Sequence, residues 1–349
     1  MLLNGFVRLA IAMISLLAVT IARAETTELI QHDFDTGRTE TISLETEPMS
    51  SSPSMIPDGP SEAMKLPLSK PILTVGTTEI SQLFRVRSVL DTQMFPATAL
   101  AKLYRLNADG SRSGNACTAQ FVGPRHLLTA LHCIIDVRTG KPHSGFELAI
   151  GFDNGLAGPH GTIKAIRSWY QANSPADLQS RAIAERCSDF ALVEVAEPVG
   201  LSTGWLGMKA EISPESMQQA MYRFSYPNRR GSEVLRQTLE QLDGQNLPEA
   251  TKEAVKTKLR ERISDTASRE PEFSPDNLYF EFGNVDRVEP QAFVTEDNFT
   301  LPGQSGSVWL DRTYAALSVH SRNASSESID CRLNELVIGA FSAVIEQSN

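Results

Sequence analysis

Few cysteines, a shortage of basic residues and the lack of internal repeats limit what this chain can do. Its 349 residues include 4 cysteines, none of them in a C-x-x-C pair, so a zinc cluster is poorly supported. The 32 Lys and Arg are outnumbered by 42 Asp and Glu, and the net charge of -10 argues against a broad nucleic-acid surface. We therefore expect no nucleic-acid partner, no metal and no cofactor, and the oligomeric state stays open.

No apolar run is long enough to cross a bilayer. The longest predominantly apolar stretch, LAIAMISLLAVTIA at residues 9–22, falls short of the roughly 20 residues that a spanning helix needs. Arg8 precedes it, and ARA at residues 22–24 has the A-x-A pattern of a cleavage site. We interpret residues 1–24 as a signal peptide, with an uncleaved anchor as the alternative. Export follows, either to a periplasm or to the outside, with no stable membrane insertion after cleavage.

The segment from residue 25 to 87 has a different composition from the rest. EPMSSSPSMIPDGPSEAMKLPLSKP, at residues 47–71, is rich in proline and serine and has little periodicity. Such a stretch does not bury enough apolar surface to offset its ordering entropy. We predict that residues 25–87 are largely disordered, as a flexible linker or as a pro-segment removed by cleavage between Lys65 and Arg87.

From about residue 98, short apolar runs alternate with turn residues, which predicts an all-β fold of many short strands. The runs lie at residues 99–106, 116–123, 126–130, 146–152, 161–169, 189–195, 220–227, 277–282, 305–311, 315–321 and 335–344. Residues 232–276 are instead rich in helix formers, and Pro248 suits the start of a helix. We interpret them as a solvated helical insertion, with a regulatory or partner-binding segment as the alternative.

Three short motifs supply the residue types that acyl transfer by serine requires. A serine nucleophile needs an imidazole to take its proton, a carboxylate to orient the imidazole, and N–H groups aimed at the oxyanion. Each motif alone has an ordinary explanation, as a packed histidine, a turn aspartate or a glycine-rich bend. The motifs are TALHC with His132, CSDFALVEV with Asp189, and LPGQSGSVWL with Ser305 between Gly303 and Gly306.

In their residues and in their order along the chain, the motifs resemble the T-A-A-H-C, D-I-A-L and G-D-S-G-G-P motifs of trypsin-like serine endopeptidases. The resemblance covers about residues 88–349. GQSGSV and SVHSRN are more similar to the bacterial glutamyl endopeptidase branch, which has G-N-S-G-S-P and a later valine-histidine or isoleucine-histidine pair. The resemblance implies two six-stranded antiparallel β-barrels with the active site between them, and protein or peptide substrates.

The resemblance also implies a role for each candidate residue. Ser305 is the nucleophile, His132 the general base and Asp189 its orienting carboxylate, while the N–H groups of Gly303 and Ser305 form the oxyanion hole. Further roles are a hydrogen bond from Ser321 to Asp189, pairing of the substrate backbone at Arg322 and Asn323, and recognition of a glutamate side chain by His320 and Thr300. A core histidine is the alternative for His320. Of the three full pairings open to Cys117, Cys133, Cys187 and Cys331 in an oxidising compartment, the resemblance favours Cys117 with Cys133 and Cys187 with Cys331.

One departure from the family pattern concerns activation. Trypsin-like zymogens have an aspartate just before the serine, which pairs with a newly freed amino terminus, and this chain has Gln304 there. That ion-pair switch is therefore not expected. The sequence predicts a secreted serine endopeptidase with a preference for glutamate or aspartate before the scissile bond, and a catalytically silent binding or adaptor protein on the same fold is the alternative.

Overall fold

The computed structural model describes the larger part of the chain. The described residues are 24–57, 74–75, 78–79, 84–85, 92–179, 187–210, 221–228, 236, 239–240, 242, 248–269, 274–283, 285–296, 300–324 and 327–348. Residues 1–23 of the predicted signal peptide, Lys65 and Arg87 lie outside them, as do most of residues 232–247 of the predicted helical insertion.

Short strands dominate the described residues. The strands are β1 Glu25–Asp33, β2 Thr39–Thr46, β3 Ser51–Ser52, β4 Thr74–Val75, β5 Thr78–Glu79, β6 Phe84–Arg85, β7 Leu100–Leu106, β8 Arg112–Phe121, β9 His126–Thr129, β10 Ile135–Asp136, β11 Lys141–Pro142, β12 Phe146–Ile150, β13 Thr162–Gln171, β14 Ala191–Val195, β15 Gly207–Lys209, β16 Met221–Ser225, β17 Tyr279–Gly283, β18 Arg287–Val288, β19 Ala292–Glu296, β20 Val308–Leu310, β21 Ala315–Ala324 and β22 Glu327–Arg332. The helices are a 3-10 turn at Ala97–Ala99, α1 Leu131–Ile134, α2 Ser174–Gln179, α3 Gly200–Thr203, α4 Glu249–Arg269 and α5 Glu335–Gln347.

Six strands close into an antiparallel barrel in the order β12-β7-β8-β9-β14-β13, and the β12–β13 pairing completes the ring. Closure removes the exposed edges that an open sheet would leave. Side chains such as Leu103, Leu128 and Leu192 fill the interior and are at most 1% exposed. The barrel provides the rigid base from which the β9–α1 turn projects.

A second sheet runs in the order β18-β19-β22-β21-β20-β16-β17-β6, and β15 pairs with β21 beside it. Within the described ranges this sheet is not closed by a further pairing. The predicted all-β class, with a helical insertion in the second half, is confirmed. Helix α4 supplies the insertion, and its apolar residues Val255, Leu259 and Ile263 are only half-buried.

The prediction of disorder over residues 25–87 is wrong for residues 25–57. Strand β1 pairs with the barrel strand β13 and with β2, and β3 pairs with β15 of the second sheet. The physical reason is that Leu29 is fully buried in the core, so the hairpin buries enough apolar surface to offset its ordering entropy. Between β1 and β2, Asp33 accepts hydrogen bonds from the backbone and the hydroxyl of Thr36, which closes the turn.

The apolar run at residues 335–344 is a helix rather than a strand. Asn334 caps it, since its side chain accepts a hydrogen bond from the N–H of Val337 at 3.0 Å. Val337, Ile338 and Phe341 then face the core together, at a spacing that fits a helix. Among the helices of the described residues, none is long and apolar enough to cross a membrane.

Candidate active site

His132 lies in the single-turn helix α1, directly after the barrel strand β9. The strand ends at Thr129, and the turn is held at its neighbour Cys133 by a disulfide to Cys117 on β8. The side chain of His132 is 26% exposed, whereas the residues around it in the turn are buried. The buried strand β9 is thus followed by an imidazole that is partly exposed to solvent.

Asp189 lies just before β14 and binds His132 through both carboxylate oxygens. Its Oδ1 accepts the backbone N–H of His132 at 2.9 Å, and its Oδ2 lies 2.7 Å from the ring Nδ1. The hydroxyl of Ser321 donates to the same Oδ2 at 2.6 Å. The aspartate is fully buried, so three hydrogen bonds replace its lost hydration. This arrangement leaves Nε2 as the ring nitrogen that is available for proton transfer.

The two groups shift each other's pKa in opposite directions. Burial lowers the pKa of His132, but the charge of Asp189 and its hydrogen bond outweigh burial, and the net shift is upward. Burial raises the pKa of Asp189, but His132 and Ser321 lower it further, and the carboxyl stays ionised. A charged carboxylate beside the imidazole stabilises the imidazolium that forms when a nucleophile is deprotonated.

Ser305 lies on the turn that leads into β20, and the turn is attached to β8 of the barrel. The N–H of Thr118 donates to the carbonyl of Ser305 at 2.8 Å, and the hydroxyl of Thr118 donates to the carbonyl of Gly303 at 3.0 Å. The amide of Gln120 bridges Gly306 and Leu128, which connects the serine turn to β9. Strand β8 is therefore bonded to both turns, to the turn of Ser305 through hydrogen bonds and to the turn of His132 through the disulfide.

Glycine is required on both sides of Ser305. Gly306 has a φ of +86°, and a Cβ there would lie 2.3 Å from both the carbonyl of Thr118 and the hydroxyl of Thr129. Gly303 has a φ of +99°, and its Cβ would lie 2.5 Å from the carbonyl of Tyr226. The absence of side chains lets the serine turn pack directly against the backbone that precedes His132.

Within the described residues, N–H groups that donate a hydrogen bond alternate along the serine turn with N–H groups that do not. The N–H of Gln304 donates to Leu301, and that of Gly306 donates to His320. Within the described residues, the N–H groups of Gly303 and Ser305 donate no hydrogen bond. Two free donors flanking a serine are the feature that an oxyanion hole requires.

Gln304 is fully buried and fastens this turn from inside. Its Nε2 donates to Ser225 Oγ at 2.9 Å, and its Oε1 accepts the N–H of Leu301 at 2.5 Å. The neutral amide therefore binds Ser225 of the second sheet and Leu301 of its own turn, where a trypsin-like zymogen would use an ion pair. The sequence indicated the missing charge, but Ser225 is 79 residues away and was not foreseen.

His320 on β21 is 3% exposed and is bonded through Nδ1 to Asp330 and Ser328, at 3.1 and 3.3 Å. The backbone of His320 pairs with Gly306 and Ser307, which places it directly behind the turn of Ser305. Thr300 is also buried and precedes that turn. The ring is buried, as the alternative of a core histidine expects, although its hydrogen-bond partners are side chains rather than backbone.

Arg322 and Asn323 follow on the same strand. Arg322 is half-buried, and burial lowers its pKa, while the charge of Asp189 opposes that shift. Its charge also lowers the pKa of His132, so the guanidinium lies within electrostatic reach of the His132–Asp189 pair. Asn323 pairs through its backbone with Ser328 of β22.

All four cysteines are in disulfides, Cys117 with Cys133 and Cys187 with Cys331. The sulfurs of Cys117 and Cys133 and a ring nitrogen of His132 lie within 4.8 Å of one another. Because both sulfurs are oxidised, they do not supply the thiolates that a metal would need.

Sequence reasoning missed a buried cluster behind His320. It consists of Arg223, Glu281 and Asp330, which are each at most 1% exposed. A sequence signal exists for two of them, a charged residue inside an otherwise largely apolar strand, as in MYRFS and YFEFG.

Comparison with known proteins finds similarity in part of the sequence and in the fold. No protein-family model matches the chain. A glutamyl endopeptidase of Bacillus licheniformis is 27% identical over 131 residues, which are 36% of this chain and 37% of that protein, so the match spans little more than a third of the relative's length. The solved structure of a Glu endopeptidase has a TM-score of 0.52 at 15% identity, covering 76% of this chain and 96% of that one. A thermostable serine protease, AL20, from an extremophilic microorganism has a TM-score of 0.46 at 15% identity, over 71% of this chain and 97% of that one.

The fold is that of the chymotrypsin-like serine proteases, and the chain resembles the trypsin-like endopeptidases of that fold. Within them, its resemblance to the glutamyl endopeptidase branch is supported both by sequence and by structure.

Proposed function

We propose that the chain is a serine endopeptidase that uses Ser305, His132 and Asp189 as its triad. The observation that carries the proposal is the buried Asp189, which fixes His132 through Nδ1 and the backbone and leaves Nε2 free. The serine turn is held against the same barrel, with two unused N–H donors beside it. Among the described residues no hydrogen bond joins Ser305 Oγ to His132, so the proposal rests on the orientation of the imidazole and on the position of the serine turn rather than on a preformed contact between them.

In the proposed reaction, Ser305 Oγ attacks the scissile carbonyl carbon while His132 Nε2 takes its proton. The N–H groups of Gly303 and Ser305 stabilise the oxyanion, and the proton then passes to the leaving amine as the C–N bond breaks. A water molecule, deprotonated by the same imidazole, releases the acyl group. Ser321 holds Asp189 in place throughout.

The proposal extends to specificity and to the compartment. His320, with Thr300 nearby, would recognise a glutamate side chain before the scissile bond, and aspartate less well, while Arg322 and Asn323 would pair with the substrate backbone. The signal-like residues 1–24 and the two disulfides support export. Cleavage after residue 57 would leave the folded hairpin of residues 25–57 in place.

Covalent labelling tests the central proposal. The exported chain is expected to react with a fluorophosphonate probe at Ser305, as located by peptide mass spectrometry, and Ser305→Ala abolishes labelling. Ser307→Ala, two residues away on the same turn, is the matched comparison for the mapped site. A folded chain that does not react, or that reacts equally as Ser305→Ala, would sink the proposed mechanism.

Peptide-library profiling tests the specificity separately. We expect cleavage after glutamate, then aspartate, and His320→Ala should lose this preference while keeping its far-UV circular dichroism. A preference for basic or large apolar residues would leave the triad standing and refute the assignment of the pocket.

A further inference from the structure

The ring of His320 has two differently occupied nitrogens. Nδ1 meets Asp330 Oδ1 at 3.1 Å and Ser328 Oγ at 3.3 Å. Nε2 makes no hydrogen bond to any residue that the structure describes. Nε2 is also not among the fully buried side-chain atoms that lack a partner, so it keeps a small accessible surface although the side chain is only 4% exposed. One side of the ring is thus fixed and the other is open.

The contacts of Asp330 keep its carboxylate ionised. Its Oδ1 accepts from Arg223 at 2.9 Å as well as from His320, and its Oδ2 accepts from the indole of Trp309 at 3.2 Å and from Ser328 at 3.4 Å. Burial raises the pKa of Asp330, but Arg223 and His320 outweigh burial and lower it. An ionised carboxylate only accepts hydrogen bonds, so the proton of a neutral His320 must be on Nδ1.

Arg223 holds Asp330 in position. The guanidinium is fully buried, forms a second ion pair with Glu281, and stacks over Trp309 at 4.5 Å from the ring centroid. Its five donors and planar shape fit two carboxylates at once, which a lysine would not. Neither Asp330 nor Arg223 can turn away without leaving a buried charge unpaired.

We propose that Asp330, fixed by Arg223, is the positioning residue that makes His320 a receptor for a substrate carboxylate. With its proton held on Nδ1, neutral His320 presents only a lone pair at Nε2, which repels a carboxylate. Binding of a carboxylate therefore requires a second proton on Nε2, and the resulting imidazolium is stabilised by Asp330 on its far side. Burial, together with the positive charges of Arg223 and His132, opposes that protonation and lowers the pKa of His320, while the charge of Asp330 and its hydrogen bond act in the other direction. The charge of Asp330 is therefore the contribution that brings protonation within reach of a bound carboxylate.

This inference rests on the proposed function and assigns a residue to its specificity. The test uses Asp330→Asn, an isosteric variant, on matched peptide substrates with Glu or Gln before the scissile bond. The ratio of kcat/KM for Glu over Gln should fall at least about tenfold, mainly through KM for Glu, while cleavage after Gln persists. Asp311→Asn changes a carboxylate in the turn after β20 that binds Thr313, Ala315 and Lys209, and it should keep the ratio.

The outcomes separate the two proposals. An Asp330→Asn protein that reacts normally with the fluorophosphonate probe and keeps the wild-type ratio overturns the role of Asp330 and leaves the protease function intact. A wild-type protein that neither reacts nor cleaves removes the function and this inference with it.

A measurement without substitution in the cluster covers the case in which Asp330→Asn does not fold. The measurement uses the full-length Ser305→Ala protein with ¹⁵N-labelled histidine, and comparison with a His320→Gln variant assigns the signals of His320. Nδ1 of His320 should remain protonated at every pH while its Nε2 titrates. Adding an acetyl-glutamate amide, but not acetyl-glutamine amide, should move Nε2 toward the protonated shift. A neutral form protonated on Nε2, or equal responses to both ligands, would refute the inference.

Discussion

Both carboxylate oxygens of Asp189 bind a single residue, His132, one through its backbone N–H and the other through its ring. The aspartate therefore fixes the position of the α1 turn as well as the tautomer of the imidazole. A change at Asp189 should alter proton transfer more than it alters the fold, because an asparagine keeps an oxygen for the backbone bond.

Asp189→Asn is expected to lower kcat about 10⁴-fold, because the amide can donate to Nδ1 and leave Nε2 protonated. The pH profile should change as well. The imidazole must be neutral to act as a base, so kcat/KM falls as pH drops through its raised pKa. Without the carboxylate, burial remains and lowers that pKa, and the acid limb moves to lower pH. A pH–rate profile measures this, with Asp177→Asn as the control, a carboxylate that accepts a hydrogen bond from Ser188, the neighbour of Asp189.

Strand periodicity and the three motifs predicted much of the fold and the candidate triad, because both depend on local sequence. Hydrophobic alternation predicts strands, and TALHC, DFAL and GQSGS each occupy only a few adjacent residues. The hairpin of residues 25–46 was missed because the proline and serine content of residues 47–71 was extended to it. The cluster of Arg223, Glu281 and Asp330 was missed for a different reason. Its members are 58 and 107 residues apart, and only the folded sheet shows that their charges are paired.

The two disulfides should differ in their effects on stability and activity. In the chain-entropy model, the bond between Cys117 and Cys133, 16 residues apart, contributes about 3 kcal/mol, and the bond between Cys187 and Cys331, 144 apart, about 5 kcal/mol. Replacing each pair by serines and measuring urea unfolding tests this order. Removal of the Cys117–Cys133 disulfide should cost more activity for the same loss of unfolding free energy, since this disulfide holds the turn of His132. Equal losses of activity at matched stability would contradict that expectation.

The amino-terminal hairpin should behave as part of the folded protein rather than as a removable segment. Leu29→Ala should destabilise the protein by about 2–5 kcal/mol, because Leu29 is fully buried. Thr41→Ala, at an exposed position of β2, should stay within about 0.5 kcal/mol. Equilibrium unfolding measures both.

Limited proteolysis checks the same hairpin from another side. A cut after residue 57 should release no fragment under native conditions, because β1 and β3 remain paired with β13 and β15. Size-exclusion chromatography followed by denaturing mass spectrometry would detect both pieces together. Loss of the small piece from the native peak, with activity retained, would restore the interpretation as a pro-segment.

Acid stability should depend on a histidine far from the site, His126 on β9. Both ring nitrogens are buried and have no partner among the described residues. Burial, followed by the charges of Arg167 and Arg125, lowers its pKa from 6.5 to about 4. In the unfolded chain it binds a proton near its ordinary pKa, so between pH 6.5 and 4 the unfolded state holds more protons than the folded state.

The contribution of His126 is therefore complete above about pH 6.5 and declines as the pH falls, by up to about 3 kcal/mol at pH 4. His126→Phe removes the titrating group next to Trp169 and should flatten the fall of the unfolding free energy across this window. Because the readout is the slope against pH, a constant packing cost of the larger ring does not affect it. His160→Ala, which removes an exposed histidine, should leave the slope unchanged. Urea unfolding at half-unit pH steps measures the slope of the unfolding free energy against pH. An unaltered slope in His126→Phe would show that other groups cause the acid sensitivity.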